Sequence, residues 1–104
     1  TMRKLTVKRK WSIIECGSKI FLYVQCPKNI STHNFDGNYF MEIRLKNGKT
    51  VTADILDEPT IIMIRSSTSC TPYTVPAGTE DVELLAVPHY DFSAGNPFTF
   101  EKMK

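Results

Sequence analysis

Two histidines, His33 and His89, are the side chains whose ordinary titration range suits proton transfer near neutral pH. Neither lies in a catalytic motif: His33 sits in the polar run Ser31-Thr32-His33-Asn34, and His89 follows Pro88. A nucleophilic constellation would have to draw Cys16 or Cys70 together with His89 and Asp91, an arrangement that only the fold could create. Zinc would need Cys16, Cys26, Cys70 and the two histidines to converge, whereas tetrahedral sites are normally built from close C-x-x-C pairs. The acidic pairs Asp57-Glu58 and Glu80-Asp81 adjoin turn residues and read as solvated carboxylates. Glycines 17, 37, 48, 78 and 95 stand singly, so no loop is rich enough in glycine to cradle a phosphate. These features lead us to expect no enzymatic activity, no cofactor, no metal and no small-molecule substrate. Asn29-Ile30-Ser31 matches the N-glycosylation acceptor pattern, which has meaning only in a secreted eukaryotic chain.

Binding of nucleic acid is the stronger chemical alternative. The formal net charge of +2 is unevenly spread: residues 1–28 carry +6 and residues 29–104 carry −4. Arg3, Lys4, Lys8, Arg9 and Lys10 are followed by Trp11, and then Phe21 and Tyr23 share one face of a segment that begins near Lys19. Cations beside stacking rings are the mixture that binders of single-stranded nucleic acid use. The competing expectation is that basic and acidic strands of one sheet face each other across the surface, with the rings packed between sheets.

The elements that must position these residues follow a period of two. Leu5 and Val7 alternate with Lys4, Thr6 and Lys8, and Ile20, Leu22 and Val24 alternate with Phe21, Tyr23 and Gln25. Tyr39, Met41, Ile43 and Leu45 form one face of a third strand, and Val51, Ala53 and Ile55 one face of a fourth. Asn47-Gly48 between the last two predicts a tight β-hairpin. The β-branched run from Thr60 to Ser66 predicts a strand buried on both faces, and Val82, Leu84 and Ala86 another strand ending at Pro88. Phe98 to Phe100 reads as an edge strand. Pro27 to Gly37, Ser66 to Asp81 and Asp91 to Pro97 read as loops, the second with a short extended piece at Tyr73 to Val75.

The chain of 104 residues, 41% apolar and 23% charged, has the size and composition of a single globular domain spanning residues 1–104. About seven short strands separated by turn signals predict an all-β fold, a single-domain antiparallel β-sandwich of immunoglobulin-like style. A small β-barrel, of oligonucleotide-binding or SH3-like type, is the alternative. The longest apolar runs are far too short to span a bilayer as a helix. An odd count of three cysteines and the lack of a visible export signal favour a reducing, cytoplasmic setting.

Leu45-Lys46-Asn47-Gly48-Lys49-Thr50, Val75-Pro76-Ala77-Gly78 followed by Asp81-Val82, and Gly95-Asn96-Pro97-Phe98 give a further lead. Together they resemble uncharacterised small β-sandwich domains of anaerobic Gram-positive bacteria, similar in style to PEGA-type modules. The resemblance implies an accessory or interaction module, often one part of a longer bacterial protein, with a protein partner or self-association as its business. The surface expected to serve that role is the Asn29 to Asp36 loop with Phe35, together with Tyr90 and Phe92. Partly exposed rings in polar loops are favoured interface anchors.

Overall fold

The computed structural model describes residues 2–11, 19–65, 70–88 and 98–102. Nine strands are present among them: β1 Met2–Arg9, β2 Phe21–Gln25, β3 His33–Phe35, β4 Asn38–Arg44, β5 Thr50–Leu56, β6 Thr60–Arg65, β7 Cys70–Val75, β8 Val82–Pro88 and β9 Phe98–Lys102. They form a four-stranded sheet in the order β5-β1-β8-β9 and a five-stranded sheet in the order β3-β4-β2-β6-β7. The fold is an all-β sandwich. Every pairing is antiparallel except β1 with β8, which is parallel, so the expectation of a purely antiparallel sandwich is corrected at that one ladder.

Alternation built the core as the sequence implied. Leu5 and Val7 of β1, Leu22 and Val24 of β2, Ile62 and Ile64 of β6 and Leu84 and Ala86 of β8 are buried between the sheets. Ile20, Leu45, Ile55, Val75 and Phe98 close the same cluster. β6 is not buried on both faces as expected. Thr60, Ile62 and Ile64 face the core, whereas Ile61, Met63 and Arg65 lie on the outer side and keep partial exposure, because a sheet in a two-layer sandwich has one face left over.

The tight hairpin lies at a different turn from the one expected. Asn47-Gly48 does turn, with Lys49 N–H donating to the Lys46 carbonyl at 3.0 Å, but β4 and β5 do not pair. The segment instead crosses from one sheet to the other. Gly48 has φ +73° while Asn47 stays at negative φ, as in a type II turn, whose twist does not suit a two-residue hairpin. The two-residue hairpin lies at Asp36-Gly37, where both residues have positive φ, 52° and 83°, matching a type I′ turn. Asn34 Oδ1 accepts the Gly37 N–H at 3.1 Å and steadies it. The Pro27 to Gly37 stretch is therefore a 3₁₀ turn at Lys28–Ile30 followed by β3, not a loop. Likewise the loop expected at residues 66–81 contains all of β7, where Pro72 is tolerated because β7 is an edge strand. The loop expected at Asp91 to Pro97 lies outside the described residues.

The parity of β1 carries two arginines into the interior. Arg3 and Arg9 share the face of Leu5 and Val7 and are only 5% and 2% exposed. Arg3 donates to the carbonyls of Leu56 (3.0 Å), Glu58 (3.3 Å) and Pro76 (2.7 Å). Arg9 donates to the Leu45 carbonyl at 3.0 Å and lies 5.3 Å from the centre of the Phe98 ring.

Two stability predictions follow from these contacts. Arg3→Met strips three carbonyls of a charged donor at once and lowers stability by about 2–4 kcal/mol. Gly37→Ala forces a side chain into the left-handed region and costs about 1–2 kcal/mol, whereas Asp36→Asn stays within a few tenths of wild type. Urea denaturation monitored by circular dichroism reads both as shifts of midpoint at constant slope.

Candidate interaction surface

The outer face of the five-stranded sheet is built from side chains that the inter-sheet core leaves behind. Register places Tyr23 between Glu42 on β4 and Met63 on β6, and places Phe21 between Arg44 and Arg65. The hairpin at Asp36-Gly37 folds β3 alongside β4, so His33 pairs with Phe40 and Phe35 with Asn38 on that same outer face. The result is a second aromatic cluster. Tyr23 packs edge-on against His33 (5.1 Å between centroids) and Phe35 (5.6 Å), and Phe35 leans on Phe40 at 5.7 Å. His33 and Phe35 are nearly parallel, 6.0 Å apart. The Arg65 guanidinium caps the group, 4.9 Å from the Phe35 ring centre and 5.6 Å from that of Tyr23.

A polar net ties this cluster to β4. Tyr23 donates its phenolic proton to Glu42 Oε2 at 2.5 Å, and His33 Nε2 stands 3.5 Å from the same oxygen. Thr32 Oγ1 accepts the Glu42 N–H at 3.0 Å and lies 2.9 Å from His33 Nδ1. Both imidazole nitrogens thus have neighbours, which orients the ring. Burial pushes the Tyr23 phenol above its ordinary range, the hydrogen bond and charge of Glu42 push the same way, and Arg65 opposes them. Cys70 is exposed on this face and donates to Met63 Sδ at 3.7 Å. Cys26 is half-buried, and burial raises its thiol pKa.

Of the surface expected from the loops, Phe35 stands in this cluster, partly exposed on the outer face of the sheet. Tyr90 and Phe92 lie outside the described residues, as do Cys16, His89 and Asp91. The nucleic-acid set is corrected in two ways. Arg3 and Arg9 point into the sandwich and are engaged there. The rest divide between the two outer faces: Lys4 and Lys8 alternate outward on β1, Phe21 lies on the opposite sheet, and Tyr23 is 6% exposed beneath Arg65. Lys4 is in register with Asp54 and donates its backbone N–H to Asp81 Oδ1 at 2.9 Å, so the basic strand faces acids within its own sheet. Lys10 and Trp11 are exposed just beyond β1, with Trp11 packed over Gly48.

His33, Glu42 and Arg65 were missed as members of a surface. Reading Ile61, Met63 and Arg65 as an alternating outward face, and Asp36-Gly37 as a hairpin turn, would have found them. A cleft of about 770 Å³ lies elsewhere, over Arg3, Gly78, Asp81 and Lys102, and the Arg3 guanidinium there is already held by three carbonyls. Among the described residues no group of three or more His, Cys, Asp or Glu side chains could hold a metal, and no helix is long and apolar enough to cross a membrane. No family model, no curated protein and no solved structure matches the chain.

The phenol of Tyr23 gives a pH signature. Its pKa is raised in the folded state, so its contribution to stability is complete below the unfolded value of about 10 and is lost as pH rises through the folded value. Thermal unfolding between pH 8 and about 11.5 should show wild type losing more stability at the alkaline end than Tyr23→Phe. Near neutral pH, Tyr23→Phe is the less stable by about 1–2 kcal/mol.

Proposed function

We propose that the chain is a noncatalytic, immunoglobulin-like interaction module that engages a protein partner through the outer face of its five-stranded sheet. The observation that carries this reading is the capped aromatic cluster of Tyr23, His33, Phe35, Phe40 and Arg65, assembled on a face turned away from the core. A sandwich stabilised by its inter-sheet core has no need of a second ring cluster outside it. Arginine and aromatic side chains are also the types in which binding energy concentrates; Phe35 and Arg65 keep the partial exposure that a partner can remove, while Tyr23 and Phe40, 6% and 2% exposed, support them from beneath. Here Tyr23 is fixed by Glu42, His33 is held between Thr32 and Glu42, and Phe35 is wedged between Tyr23 and Phe40. The cost of ordering these side chains is met on folding, which leaves more of the contact energy for binding. An accessory place beside other domains of a longer bacterial protein is part of the same proposal, supported by the turn motifs that resemble such modules.

The test is affinity capture from the source organism's lysate, using wild type, a Phe35→Ser/Arg65→Glu variant and Lys4→Glu on the opposite face as control. A partner should be retained by wild type and by Lys4→Glu, and depleted about tenfold or more by the double change, the loss of two anchors. Identical capture by all three forms, each confirmed folded by circular dichroism, would remove this assignment.

A further inference from the structure

We propose that the outer edge of β5 is a self-association site, pairing antiparallel with β5 of a second copy about a two-fold axis through Ala53. This inference is independent of the aromatic face, because β5 belongs to the other sheet.

The edges of the two sheets differ in what they offer. β3 has three residues, β7 contains Pro72, and β9 has five residues ending in Glu101 and Lys102. β5 has seven residues, Thr-Val-Thr-Ala-Asp-Ile-Leu, with no proline, no lysine and a single charge at Asp54. Proteins usually blunt such an edge with lysine, proline or a bulge. Beside it on the outer face, Met2 and Leu56 are cross-strand neighbours that stay 54% and 42% exposed.

The hydrogen-bond phase is set by β1. Arg9 N–H donates to the Lys49 carbonyl at 2.9 Å, in the register that pairs Lys8 with Thr50 and Met2 with Leu56. In an antiparallel ladder alternate residues turn their backbone groups to one side. Val51, Ala53 and Ile55 therefore turn theirs to β1, while Thr50, Thr52, Asp54 and Leu56 present theirs to an edge that no strand among the described residues covers. Of these, the Leu56 carbonyl also accepts from Arg3.

A two-fold axis through Ala53 makes this edge complementary to itself. Thr52 faces Asp54 of the second copy and Thr50 faces Leu56, each pair exchanging backbone hydrogen bonds. Val51 meets Ile55 on the core side, covering apolar surface that Val51 and Ala53 leave partly exposed. One position beyond the strand, Lys49 stands opposite Asp57 of the second copy, and symmetry repeats this opposite-charge pair at the other end. An axis through Asp54 would set carboxylate against carboxylate. An axis through Thr52 shortens the overlap and loses both charge pairs. The favoured register is isologous and closed, so it stops at a dimer with a continuous eight-stranded sheet rather than growing into a fibre.

Sedimentation equilibrium from micromolar to millimolar chain concentration tests this. Wild type should show a reversible monomer–dimer equilibrium. Thr52→Pro removes an edge N–H that β1 does not use, and should stay monomeric while keeping its β-sheet circular dichroism. Lys49→Glu turns both charge pairs into repulsions and should weaken the dimer roughly tenfold, and Lys49→Glu/Asp57→Lys should restore it to within about twofold. Phe35→Ser/Arg65→Glu should leave dimerisation unchanged. A wild type that stays monomeric at millimolar concentration overturns the proposal. So does a dimer unaffected by the charge reversal, or one lost on changing the aromatic face. If Thr52→Pro does not fold, the reversal and its rescue decide.

Discussion

Two guanidinium groups at opposite ends of one strand hold the two layers of this sandwich in relation to each other. β1 runs through the four-stranded sheet with Arg3, Leu5, Val7 and Arg9 on its inner face. The leucine and valine supply ordinary hydrophobic burial. The arginines meet a different demand. Where the chain passes between sheets it leaves the ladders, and its carbonyls need donors that no strand supplies. Arg3 reaches Leu56 and Glu58 at the β5–β6 crossover and Pro76 at the β7–β8 crossover. Arg9 reaches Leu45 at the β4–β5 crossover. Arginine suits this task because its planar fork offers five donors and no acceptor, so one side chain can meet several carbonyls converging from different segments. Lysine would bring a compact charge that is more strongly hydrated and costlier to bury.

That arrangement lowers the positive charge that the chain's basic first quarter brings to the surface. Two of its cations are spent inside. Lys4 faces Asp54 across the β1–β5 ladder, and the strand on the other side of β1 contributes Glu83 opposite Thr6. The outer face of the four-stranded sheet is consequently a mixed-charge surface of the kind that keeps a sheet solvated. The outer face of the five-stranded sheet is different in character. Two of its charges, Glu42 and Arg65, are recruited to hold or cap rings. The asymmetry between the two faces is what directs attention to one of them as a place of contact.

How far the fold could be read beforehand depended on whether the deciding interaction was local. The period-two alternation of Leu5 and Val7, of Leu22 and Val24 and of Leu84 and Ala86 was legible, because a half-buried strand writes its burial directly into residue order. Arg3 and Arg9 fall on the same parity as Leu5 and Val7. Composition argued for solvent and parity for the interior, and the carbonyls that decide in favour of the interior lie more than thirty residues away. The two turns make the same point. Asn47-Gly48 and Asp36-Gly37 carry nearly equal local preference for a hairpin. Only the second joins strands that pair, because β5 finds β1, which lies in the other layer. Of the candidate surface, Phe35 was legible as a ring in a polar setting. Its neighbours were not, since His33 joins it through the unrecognised turn and Arg65 through the register of β6 with β2.

The separation of the two proposed surfaces has a physical consequence of its own. The aromatic cluster stands on the five-stranded sheet, and the open β5 edge belongs to the four-stranded one, so pairing at the edge covers none of the cluster. A two-fold dimer would then display two copies of the cluster on one rigid, continuous sheet scaffold. Binding to a repetitive or dimeric partner turns the second contact into an intramolecular one, governed by effective concentration rather than by bulk concentration. Because the scaffold is a hydrogen-bonded sheet and not a flexible linker, the spacing between clusters is fixed. Avidity would be gained only for partners whose own sites match that spacing, and forfeited for the rest. A shallow patch of a few rings and one guanidinium, weak as a single contact, would in this way acquire both strength and selectivity without any change in the patch itself.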